Sequence, residues 1–389
     1  MASSVQIDLD ALAQPISEAQ PAGPDLREDD ANGALFLELK DARRSARAAE
    51  RTLANAELGT VEAESTEARA IDEAREASSA AWRRILELAP RLLSGKSKDL
   101  EVCAYWIEAL TRDRGFAGLR DGVKAARTLV EGFWDGLWPA PDAEDGIAAR
   151  CAPLANLNGD GPDGPLPYRI ALLPLTDPID ETGGLSTWHF GQARELARIT
   201  NEEQRAERER AGAVSMEKFE AAISATAVET LQETLGDIEE ALAEWEALSN
   251  AVSSRSNGYA PPASAGREAL EAARAALRFA ARDQLAAAEP EPAAEEAQGD
   301  GPAEAGAPRA AARGISGEIT SREEALKVLT QVAKFLRRTE PHSPISYAVE
   351  QSVRWGAMSL PELLRELLAD EGARDSLFQR VGIREEPRE

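Results

Sequence analysis

The chain has only two cysteines, Cys103 and Cys151. Two thiols cannot build a disulfide framework, and by themselves they fall short of a zinc site. Cys103 lies among Val102, Trp106 and Ile107 and reads as a small core residue. Histidine is equally scarce: His189 and His342 stand far apart in sequence and form no cluster for a metal or a proton relay. Aromatics make up 5% of the residues against 43% apolar, with alanine abundant. That balance favours helices packed on helices over β-sandwiches, which want Val, Ile, Tyr and Phe. No run approaches the roughly 18 uninterrupted apolar residues of a membrane span. The opening MASSVQIDLDAL lacks a positive charge followed by an apolar stretch, so it does not read as a secretory signal. Cations are outnumbered as well, 44 Lys and Arg against 69 Asp and Glu, a net charge of −25. Phosphate backbones repel such a chain, which argues against nucleic acid as its main partner. The expectation is a cytoplasmic, all-α, multi-domain protein with no cofactor, no metal and no direct membrane insertion.

With 389 residues the chain has room for two or three domains. An irregular lead-in, residues 8–32, carries Pro15, Pro21, Gly23 and Pro24 and then a charged run. Helices are expected over about 34–53 and 66–93, with Pro90 bending or ending the second. Ser97 is a candidate N-cap for a third helix, and Gly115 separates it from a fourth. In the fourth, Leu119, Val123, Ala126, Val130, Phe133 and Leu137 recur at spacings of three and four. Residues 140–187 are rich in Pro, Gly and Asp and read mostly as turns, with Tyr168–Leu175 a short strand or extended wrap. These elements make an N-terminal domain, residues 1–185, with enough large apolar residues for its own core. Residues 186–288 read as a middle helical bundle of three helices. Residues 289–313, dominated by Ala, Pro, Glu and Gly, offer no apolar face and read as a disordered acidic tether. Residues 314–389 read as a small helical module. Ser321 with Glu324 and Ser359 with Glu362 form capping boxes, and Ser343 caps a helix that opens on Pro344.

Three motifs invite chemistry, and each has a plainer reading. Gly159, Gly161 and Gly164 match G-x-G-x-x-G, but Pro162, Pro165 and Pro167 interrupt the motif and forbid the helix a dinucleotide site needs. Asn158, Asp160 and Asp163 do not complete a calcium loop and read as an acidic turn. His342 beside Ser343 lacks the glycines of a nucleophile elbow, so the serine reads as a helix cap. His189 near Trp188 reads as structural. An enzyme would need polar groups converging in a pocket, and no such constellation is evident.

Four stretches resemble a known family. PISEAQPAGPDLRED contains Pro15, Pro21, Gly23, Asp25, Leu26 and Arg27, and looks like the N-terminal signature of the TssA (ImpA) family of the bacterial type VI secretion system. The stretch from Trp82 to Leu110, with Lys98, Asp99 and Leu100, is similar to that family's next block. It continues through Gly115–Gly122 and through FWDGLWP, which holds Trp134 and Pro139. The segment ITSREEALKVLTQVAKFLRRTEPHSPISYAVEQSVRWGAMSLPELLRELL resembles the short C-terminal domain of many members. The resemblance implies a cytoplasmic structural component of a contractile injection machine. Such a component forms a ring through its C-terminal domain and contacts baseplate, inner-tube, sheath or membrane-complex proteins while tube and sheath assemble. The short C-terminal form favours a baseplate-associated role. The rival within the same system is an effector-delivery adaptor or chaperone.

The C-terminal module is the candidate self-association region. Leu326, Leu329 and Leu336 lie on its first helix, Val349, Val353 and Trp355 on its second, and Leu363, Leu364 and Leu367 on its third. About 75 residues are near the lower limit for an independent core, so part of this apolar surface is expected to meet a second copy.

Overall fold

Apolar residues at helical spacing recur through most of the chain, and helices form where they do. The computed structural model describes residues 2–56, 66–159, 165–179, 183–259, 261–288, 322–339, 344–358 and 363. Among them regular structure is helical, with only isolated bridges such as that of Asp99 with Trp138. The expected all-α architecture is the one observed. Two units emerge, Met1–Ala294 and Glu295–Glu389.

In the first unit a short helix, α1 (Leu9–Ala13), interrupts the lead-in, its N-terminus capped by Asp8. Helices α2 (Gly33–Ala56) and α3 (Thr66–Gly95) pack along each other, and α3 packs on α4 (Leu100–Phe133). Pro90 lies within α3, which does not end there but runs on to Gly95. An internal proline costs about 3 kcal/mol. Burial of Leu88, Ala89, Leu92 and Leu93 on either side offsets that cost. The cap of α4 is Asp99 rather than Ser97: its Oδ1 accepts from the N–H groups of Glu101 at 2.7 Å and Val102 at 3.3 Å. Ser97 comes two residues too early and instead donates to the Pro24 carbonyl at 2.6 Å. Gly115, at φ +59°, breaks α4 into two helical stretches, as its position predicts.

Residues 140–187 hold more helix than expected, in α5 (Ile147–Asn158) and α6 (Pro165–Ala171). Tyr168–Leu175 is therefore no strand; its first part completes α6. Pro165 and Pro167 sit in the first turn, where a backbone N–H has no intrahelical partner to lose. The prolines thus do not forbid a helix after the glycine motif. What disqualifies the motif is the element before it, helix α5 where a dinucleotide site has a strand.

Six more helices follow among the described residues of the first unit: α7 (Thr187–Ala197), α8 (Glu202–Arg210), α9 (Met216–Ala225), α10 (Val228–Arg255), α11 (Ser264–Ala280) and α12 (Arg282–Ala288). Asn201 caps α8 separately from α7, accepting from the N–H groups of Glu203 and Gln204. The helices after residue 186 do not stand apart as a bundle. Helix α10 lies along α4, and α11 packs on α10 and α6. The reason is visible in α4, where Val102–Thr111 is buried without a break. A helix apolar on every side needs neighbours on every side, and α10 supplies one.

In the second unit, α13 (Arg322–Thr339) packs against α14 (Pro344–Ala357), with Arg337 ion-paired to Glu350. The serine caps Ser321, Ser343 and Ser359, the motif residue His342 and the 289–313 tether lie outside the described residues.

Candidate functional site

Apart from Trp82, the signature residues gather at one junction, where the lead-in crosses the N-terminus of α4. Leu26 is fully buried and Gly23 is covered. Gly23 adopts φ +73°, and a Cβ there would meet the Lys96 carbonyl oxygen at 2.3 Å, so only glycine fits. Its own carbonyl accepts from Trp138 Nε1 at 2.9 Å. Pro15 and Pro21 are exposed and shape the turn, which the Ile16 N–H closes on the Pro21 carbonyl. Arg27 reaches across to donate to Asp25 at 2.9 Å, Asp99 at 2.7 Å and Glu101 at 2.5 Å. Burial opposes the charge on Arg27, yet Asp99 and the other two carboxylates outweigh it and raise its pKa. Burial pushes the Asp99 carboxyl up, against the pull of Arg27 and the two N–H groups it caps.

Lys98 points inward. It is fully buried, donates to the Leu12 carbonyl at 2.7 Å and lies 4.8 Å from the centre of the Phe133 ring. Burial lowers its ammonium to about 8. Leu100 is buried, and its N–H binds the Trp138 carbonyl at 2.8 Å. Trp134 and Pro139 both offer carbonyls to Arg150, at 2.6 and 3.2 Å. Trp82 stands apart from this junction. Its ring lies under Arg112 at 4.0 Å and its Nε1 donates to Glu50 at 3.0 Å. Every one of these groups is used in tying segments together.

Sequence reading missed several charged groups in the interior, Arg120 and Glu108 among them. Arg120, 1% exposed, donates to Asp121 at 2.8 and 2.9 Å, to Asp237 of α10 at 2.6 Å and to the Ser3 carbonyl at 2.6 Å. Glu108 is buried and paired with Arg43 at 2.6 Å. The available signal was a charge inside an apolar stripe: Glu108 falls between Ile107 and Ala109, and Arg120 follows Leu119. His189 accepts the Ser186 N–H at 3.0 Å in a cap at the start of α7, a structural place. Cys103 and Cys151 are buried, and burial raises both thiols, that of Cys151 to about 11.

Six of the nine candidate interface residues can be located. Leu329 is exposed, while Leu326, Val349, Val353, Trp355 and Leu363 are half-buried. Leu364, Leu367 and the Leu336 side chain lie outside the described residues. Tyr347, which sequence reading did not single out, is also exposed.

Residues 13–159 match the family described as ImpA, N-terminal, type VI secretion system. That span contains every signature residue. Over 371 residues the chain is 28% identical to the type VI secretion system component TssA1 of Pseudomonas aeruginosa, covering 94% of this chain and 96% of that protein. A solved structure, the N-terminal domain including the conserved ImpA_N region of the TssA component from Burkholderia cenocepacia, shares the fold. The TM-score is 0.55 at 24% identity, over 73% of this chain and 98% of that one. The signature junction, the match across its residues and the near full-length similarity agree: residues 13–159 form an ImpA N-terminal region, and the chain as a whole is similar to TssA components of the type VI secretion system.

Proposed function

We propose that this protein is a cytoplasmic structural part of the secretion machine. Copies join into a ring through residues 314–389, and the ring associates with baseplate and tail while inner tube and sheath assemble. The observation that carries this reading is the apolar surface of the second unit. Leu329 and Tyr347 are exposed, Val349, Val353 and Trp355 are half-covered, and Ala333 is the one hydrophobic residue buried among the described residues of α13 and α14. So small a module gains stability by burying such residues against a neighbour. A repeated head-to-tail contact closes into a ring when the rotation per subunit permits. The role requires no chemistry of the chain itself, and the junction residues are spent on holding segments together. No described helix is long and apolar enough to cross a membrane.

The adaptor reading predicts a different phenotype. In cells carrying a fluorescent sheath protein, loss of this chain should abolish sheath assembly. The intact chain should restore it, and the chain ending at residue 313 should not. Normal sheaths with loss of a single secreted effector would support the adaptor instead.

A further inference from the structure

The first unit carries a cationic cleft on an otherwise acidic chain. It opens between the C-terminal half of α2 and α6, with α4 beneath, and encloses about 350 Å³. Arg47, Arg51, Arg112 and Arg169 line it against a single lining carboxylate, Glu50. Glu50 is already committed: Arg112 binds its two oxygens at 2.5 and 2.9 Å, and Trp82 binds one of them as well. Glu108 is likewise taken by Arg43, and lies 3.8 Å from Arg47. Arg51 and Arg169 form no ion pair among the described residues, and Arg169 Nε is buried without a hydrogen-bond partner. Burial lowers the pKa of both Arg47 and Arg169, and neighbouring guanidinium groups add to it. A desolvated cation without its counter-charge is unfavourable and becomes favourable once an anion meets it. Beside the arginines the wall is apolar, with Tyr168 exposed at the rim and Leu172 behind it.

We propose that this cleft docks a short acidic segment of a partner protein. Arg51 and Arg169 receive its carboxylates, and a neighbouring apolar side chain rests on Tyr168 and Leu172. The guanidinium fork matches a carboxylate, and the apolar wall gives a peptide something that a free anion lacks. A long polyanion would meet the field of a chain of net charge −25, whereas a short segment stays inside the cleft. This contact is independent of the self-association assigned to the second unit.

The test uses the full-length chain and a fluorescein-labelled peptide, Glu-Leu-Glu-Asp-Leu-Glu, followed by anisotropy at low salt. The comparison peptide replaces each acid by its amide. The acidic peptide should bind about tenfold or more tightly than the amide peptide. Arg51→Ala and Arg169→Ala should each weaken binding severalfold, while Arg83→Ala, on an exposed face of α3, should not. Arg51 is exposed, so its variant keeps the fold even if the Arg169 variant does not. Equal binding of both peptides, or wild-type binding by Arg51→Ala, overturns the proposal. So does inorganic phosphate that binds as tightly as the peptide and displaces it, which would make the cleft a free-anion site. Much tighter peptide binding after Glu57, Glu62, Glu64, Asp160 and Asp163 are changed to amides would also overturn it, by making the chain its own occupant.

Discussion

Arg120→Met removes a cation that joins the N-terminal residues, α4 and α10. The wild-type guanidinium satisfies Asp121 twice, Asp237 once and the carbonyls of Ser3 and Ser4. After the change, Asp121 keeps only the Gln6 N–H, and Asp237 keeps the Ser3 N–H and hydroxyl. Two buried carboxylates remain without a counter-charge. Breaking a buried pair from one side costs about 3–5 kcal/mol. At about 2 °C per kcal/mol for a large domain, the melting temperature should fall by roughly 6–10 °C. Calorimetry on the wild-type and variant chains measures this directly. Removing the acids too, in Arg120→Met with Asp121→Asn and Asp237→Leu, should recover much of the loss, because the penalty lies in the stranded charges. A single-variant loss below about 1 kcal/mol would refute the reasoning, since that is the scale of an exposed pair.

The same network predicts that residues 1–185 alone melt broadly and well below a piece spanning 1–294, which should unfold cooperatively by circular dichroism. Gly23→Ala should destabilise by at least about 1–3 kcal/mol in denaturant titration, because it combines a positive φ with a collision on the Lys96 carbonyl. Lys98 has a folded pKa below its ordinary value, so the folded chain binds fewer protons than the unfolded one between about 8 and the ordinary 10.4. Stability should therefore gain a rising contribution over that window, and Lys98→Met should flatten it in a pH series of melts. For Glu50, burial raises the pKa, but the Arg112 fork and Trp82 outweigh it and hold the group low. Its contribution is present above about 4.3 and lost as pH falls through the lowered value; Glu50→Gln should blunt that acid limb.

The helices were legible wherever one apolar stripe recurs, and the signature residues were legible as a set. Their roles were not. Lys98 and Asp99 read as adjacent charges at a helix start, yet one turns into the core and the other caps α4 and holds Arg27. Nothing local decides that, because Leu12 and Arg27 approach only after folding. The pairing of α4 with α10 was hidden for a similar reason. Its sequence trace is a run buried all round, which demands neighbours without naming them. Tolerance of proline depends on its surroundings. Pro90 is tolerated because the surrounding core offsets its cost, and Pro165 and Pro167 because they fall in a first turn. The cationic cleft was invisible because Arg51, Arg112 and Arg169 lie on separate helices.

Self-association through residues 314–389 is the central claim, and sedimentation velocity tests it most directly. The full chain and a chain ending at residue 313 would be run at matched concentrations. The account predicts that the full chain sediments as a large closed oligomer and the shortened chain as a monomer or dimer. If the shortened chain sediments at the full assembly's size, the interface lies within residues 1–313 and the account is contradicted.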